Sequence, residues 1–157
     1  MPDVSALLEL SYDAAVRTLD LQERAVEQLR SRTGTLLAAS SLTASFLGAE
    51  TIQHQGRLDT LVVLALVALA VSIVSCVYVL LPTEGLVFSI SAPATYEALY
   101  EFGDDDDEVR RRLIYWLEEY WQANNGIIED LGRWFAAAAL ALTLQLLLWL
   151  VALARTI

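Results

Sequence analysis

Two stretches of this chain contain no charged residue: residues 61–81 and 134–154, each 21 residues long. A bilayer core of ~30 Å takes about 20 helical residues to cross. A surface helix of a soluble protein would carry a polar face over that length, and neither stretch has one. The rest of the chain is too short and too charged to bury both as core helices. Of 157 residues 56% are hydrophobic, yet the formal net charge is −10. Apolar and charged residues are therefore segregated along the chain, and both stretches are expected to span a membrane.

A third span is expected at residues 33–49, which is also uncharged but has only 17 residues, at the short end for crossing. The implied architecture is an all-α integral membrane protein. Residues 1–32 form an amphipathic cytoplasmic helix that continues into the first span (33–49). The second span is 61–81, a cytoplasmic helical segment covers 82–133, and the third span is 134–154. Placing the N-terminus inside puts eight of the ten arginines on the cytoplasmic side, as the positive-inside rule favours. That side also holds 18 of the 20 acids, which argues against nucleic acid as a partner. No apolar signal segment is expected near the start. All ten basic residues are arginine, a composition common in GC-rich bacteria, so the expected location is a bacterial inner membrane.

The cytoplasmic parts read as long helices. Leu8, Tyr12, Ala15, Leu19, Gln22, Val26 and Leu29 alternate steps of four and three, a heptad pattern with one polar member, Gln22. One helix is expected from about residue 5 to about residue 48. Before the last span, Val109, Leu113, Trp116 and Tyr120, then Ile127, Leu131 and Trp134, step the same way. Asn124-Asn125-Gly126 is expected to kink or break that helix. A short helix is expected at about 92–102, with Ser91 as its cap and Gly103 at its end. The two long helices would then pack in parallel as a stalk, with Leu19, Gln22, Val26, Leu113, Trp116 and Tyr120 as its seam.

Within the spans, Gly34, Ala38, Ser41, Ser45 and Gly48 form a seam of small residues that lets helix backbones approach closely in lipid. The contact is either with another span of the same chain or with a second subunit around a pore. Gln145 is the one strongly polar side chain of the last span and is expected to bond across helices. Asp104, Asp105, Asp106, Asp107 and Glu108 precede Arg110-Arg111-Arg112. They read as a solvated helix start, or as an acidic vestibule drawing cations if subunits cluster. Consecutive acids do not converge as calcium ligands do, so no metal is expected. One histidine (His54, in the short loop at 50–60) and one cysteine (Cys76, mid-span) supply no nucleophile–base arrangement and no zinc spacing. The glycines form no phosphate-binding loop. Neither catalytic activity nor a cofactor is expected.

The run Arg30-Ser31-Arg32-Thr33-Gly34-Thr35-Leu36-Leu37-Ala38-Ala39, where a basic helix enters a small-residue span, resembles small bacterial membrane effectors of anti-phage signalling. These are the Pycsar transmembrane effectors and the SLATT proteins. The second and third spans match in position and length. The resemblance implies a membrane-perturbing, pore-forming effector that oligomerises. A cyclic-nucleotide-binding domain is lacking, and no nucleotide-binding residue carries over. The expected function is a homo-oligomeric membrane protein that forms or gates a pore in stress or defence. Its partners would be membrane lipid, further copies of itself, and a cytoplasmic protein or small molecule as trigger. The alternative is a membrane-anchored helical scaffold that recruits a cytoplasmic partner.

Overall fold

The computed structural model describes residues 4–55, 60–100 and 106–155. Among these the protein is all-α, with one non-helical segment at 81–91, and no strand occurs. The elements are α1 (Val4–Gln55), α2 (Thr60–Leu80), α3 (Ala92–Tyr100) and α4 (Asp106–Ala154). α1 contains no proline, and its hydroxyl residues are compatible with a helix because they bond their own backbone. The Thr33, Thr35, Ser40, Ser41 and Ser45 hydroxyls each donate to the carbonyl four residues back, at 2.8–3.3 Å. α2 stops two residues before Pro82, which can neither donate to the preceding turn nor fit against it. α4 begins with Asp106, Asp107 and Glu108 in its first turn, where the helix dipole favours anions.

Two features differ from those the sequence suggests, and one falls outside the described residues. α1 runs on to Gln55, so His54 is helical rather than in a loop. The expected end of the short helix at Phe102 and Gly103, and the acids Asp104 and Asp105, lie outside the described residues. α4 runs unbroken through Asn124-Asn125-Gly126. Asparagine weakens a helix when its side chain competes for local backbone groups, and Asn124 instead spends its amide on distant partners.

The chain divides into two compact units, one of residues 1–27 and 83–129, the other of residues 28–82 and 130–157. In the first, Leu19, Val26, Leu99 and Leu117 are buried. The extended segment between α2 and α3 is held by Asn124, whose Oδ1 accepts from the Val87 N–H (2.9 Å) and whose Nδ2 donates to the Val87 carbonyl (2.8 Å). Gly85 turns this segment at φ +93°, a conformation L side chains rarely adopt.

The second unit is a three-helix bundle of α1, α2 and α4. Ser40 meets Ser72, and Ser72 donates to the Ala138 carbonyl. Gln145 donates to the Ser40 carbonyl, and Gly48 lies against the Trp149 ring. With the Arg30–Leu81 and Tyr78–Trp134 contacts, these pairings make α1 and α4 parallel to each other and antiparallel to α2. α2 and α4 are the two helices long and apolar enough to cross a membrane among the described residues.

Candidate functional site

Burial on the long helices follows a seven-residue period. On α1 the buried positions Leu19, Val26, Thr33 and Ser40 recur every seven residues, and on α4 so do Leu117, Asn124, Leu131, Ala138, Gln145 and Ala152. A seven-residue seam is the sequence pattern of helices packed knobs-into-holes. In the first unit this seam places two amides face to face. Asn124 Nδ2 donates to Gln22 Oε1 (3.2 Å), and Gln22 Nε2 donates to the Trp121 carbonyl (3.1 Å). Gln22 thus occupies the interior position read for it from the heptad, with Leu19 and Val26 beside it. On α4 the expected Leu113, Trp116 and Tyr120 are half-buried, and the deepest positions are Leu117 and Asn124.

In the second unit the polar layer is Ser40, Ser72 and Gln145, all fully buried. Ser40 Oγ and Ser72 Oγ are 3.1 Å apart, Ser72 Oγ reaches the Ala138 carbonyl at 3.3 Å, and Gln145 Nε2 lies 3.4 Å from the Ser40 carbonyl. One contact thus joins each pair of helices. Gln145 bonds across helices, although its Oε1 is buried without a partner, as is Trp149 Nε1 one turn on.

The small-residue seam is placed differently from a contact within the chain. Gly48 alone is buried, and Gly34, Ala38, Ser41 and Ser45 are exposed. A Cβ on Gly34 would meet nothing within 4 Å. The buried face is rotated by one residue, about 100° on a helix, so Ser40 rather than Ser41 enters the core. Gly34, Ala38, Ser41 and Ser45 therefore do not pack α1 against α2 or α4, and of the five only Gly48 does, against Trp149.

Of the acidic run, Asp106 is exposed and Asp107 and Glu108 are half-buried. Glu108 is paired with Arg111 and, at 3.2 Å, with Arg112. Glu108 is thus neutralised by arginines of its own helix one turn on. No group of three His, Cys, Asp or Glu side chains suited to a metal occurs among the described residues. The first unit also has an open, largely apolar groove of about 560 Å³. Tyr12, Leu99 and Leu113 line it, together with Tyr96 and Tyr100, whose rings are 5.5 Å apart.

Sequence reasoning missed Thr33, Ser40, Ser72 and Asn124 as interior residues. The signal for the α1 pair was present: counting sevens onward from Leu19 and Val26 arrives at both. Comparison with protein families, curated proteins and solved structures finds no match.

Proposed function

We propose that this chain is a multi-pass protein of a bacterial inner membrane, not an enzyme, whose copies associate through the outer face of α1 to form or gate a pore. The observation that carries the membrane reading is inverted burial in the second unit. Its interior holds Thr33, Ser40, Ser72, Ser75 and Gln145 beside small alanines and a few larger apolar residues, chiefly Val62, Val79 and Trp149. Its exterior displays Leu66, Val67, Val74, Leu140, Leu144, Leu147 and Val151. Only 33% of the apolar window of α2 and 22% of that of α4 is buried, whereas core helices of a soluble protein would be mostly covered. A hydrocarbon solvent suits that exterior and makes interior polar groups the adhesive.

α1 is the third span of this reading, across residues 33–49. Leu42 and Phe46 project outward there. The hydroxyls of that stretch already donate within the helix, which lowers the cost of placing them in lipid. The outer face of α1 that carries Gly34, Ala38, Ser41 and Ser45 is then the surface for a second copy or for a water-filled path. The arginine distribution favours a cytoplasmic N-terminus. A role in stress or anti-phage defence follows from the resemblance at residues 30–39.

The scaffold reading is favoured by the tyrosine-lined groove of the first unit, a surface suited to a cytoplasmic partner. Reconstitution separates the two. A pore protein gives a ring-sized species in detergent and releases ions from sealed vesicles. Ser41→Leu with Ser45→Leu lowers both subunit number and flux. A monomer or tight dimer in vesicles that stay sealed would leave the scaffold.

A further inference from the structure

On the outside of the second unit, α2 and α4 leave an apolar groove of about 260 Å³ between them. Its walls are Leu64, Val67 and Val71 from α2 and Leu144 and Leu148 from α4, over a floor made by Ala68 and Ala141. The floor residues are buried, while Val67, Val71 and Leu144 are about half-exposed. Ala68 and Ala141 leave the floor low between walls of leucine and valine.

The groove points to an aromatic pair. Leu64, Val71 and Tyr78 lie seven residues apart on α2, and Trp134, Ala141 and Leu148 lie seven apart on α4. The two helices are antiparallel, so both rows end at the same level, where the Tyr78 and Trp134 rings meet with centroids 4.8 Å apart. Both aromatics are partly exposed, at 48% and 40%. Arginines occupy that level too. Arg133 precedes Trp134 and is exposed, with Asp130 at 3.0 Å. Arg30 reaches the Leu81 carbonyl at the end of α2, at 3.4 Å. Tyrosine, tryptophan and arginine at the edge of an apolar run are the side chains that meet lipid headgroups.

Length and charge agree. From the groove floor at Ala68 to Tyr78 is ten residues, about 15 Å of helix, the depth of one leaflet, half of a ~30 Å core. The second unit carries five of the ten arginines and only three of the twenty acids, a formal +2 in a chain of −10. Its charge is thus opposite in sign to that of the chain as a whole.

We infer that the α2–α4 groove is a binding site for one anionic phospholipid, with an acyl chain along Ala68 and Ala141 and the phosphate at Tyr78, Trp134 and Arg133. This rests on the membrane reading but on neither the pore nor the subunit number. The site is tested on the full chain in detergent by native mass spectrometry, with phosphatidylglycerol as the probe. One phosphatidylglycerol per chain is expected to survive delipidation. Val67→Phe with Leu144→Phe fills the groove from its exposed walls and should weaken retention at least about tenfold. Leu66→Phe, exposed at the same depth but on another face of α2, should leave retention unchanged. Trp134→Leu with Arg133→Gln should abolish the preference for phosphatidylglycerol over phosphatidylcholine. Equal retention by the groove-filled protein, equal loss in Leu66→Phe, or displacement by millimolar inorganic phosphate would overturn the site. A chain that binds lipid but passes no ions removes the pore alone, and one that never enters bilayers removes both.

Discussion

Asn124 and Gln145 are buried amides on one helix, and their surroundings give them opposite energetic roles. Asn124 has every polar atom paired, to Val87 on both sides and to Gln22. Removing it strands the Val87 N–H and the Gln22 oxygen, and each stranded group costs about 1–3 kcal/mol. Asn124→Leu is therefore expected to lose about 3 kcal/mol. Gln145 holds one long bond to the Ser40 carbonyl and keeps its own oxygen unpaired. Gln145→Leu discards a half-satisfied amide and should change stability by less than about 1 kcal/mol. Unfolding of both variants in mixed micelles checks the contrast, and equal costs would refute the pairing argument. Gln145 was legible in the sequence as a lone polar residue in an apolar run. Asn124 was not, because next to Asn125 and Gly126 it carries the signature of a helix breaker. Only tertiary partners turn such a residue into a clamp.

At the scale of the element, α1 presents two seams one residue apart. Thr33, Ser40 and their predecessors Leu19 and Val26 face inward, while Gly34, Ala38, Ser41 and Ser45 face out. Composition alone favours the second set, since small residues permit close approach. Continuity of the heptad favours the first, and within the chain continuity prevails. The seams predict separable effects. Ser40→Leu drives a large side chain into the Ser72 contact and should destabilise the monomer by about 1–3 kcal/mol. Ser41→Leu leaves the monomer's melting unchanged and acts, if anywhere, on subunit number in detergent. Leu19 and Val26 are each 2% exposed within one chain. Leu19→Asp with Val26→Asp should accordingly unfold the first unit, seen as protease sensitivity of residues 83–129, rather than merely split an oligomer. The heptad made the existence and direction of α1 readable. The depth of the corresponding α4 seam was displaced from Leu113 and Tyr120 to Leu117 and Asn124, because bulky aromatics outrank an asparagine in any apolar count.

At the scale of the whole molecule, charge is sorted between the two units: a formal −12 on the first and +2 on the second. With the N-terminus inside, thiol reagents that cannot cross a membrane should fail to label Ser5→Cys and Asp105→Cys in intact cells. Labelling of either without permeabilisation would reverse the orientation. The helical class and the two long apolar runs were plain in the sequence, since both depend on local composition. The packing of three helices around a serine–glutamine layer was not, since it depends on which faces meet. The inverted burial of the second unit also has a calorimetric consequence. In a soluble domain, unfolding wets apolar surface, and the heat capacity rises by about 12–15 cal/mol/K per residue. In a bilayer the leucines and valines of α2 and α4 touch hydrocarbon before and after the helices separate. Unfolding of this unit should therefore show a heat-capacity increment far below the soluble value, and little curvature of its stability with temperature. Its helices would stay helical throughout, so circular dichroism would hardly register a transition that ring-to-ring contacts such as Tyr78–Trp134 report in full.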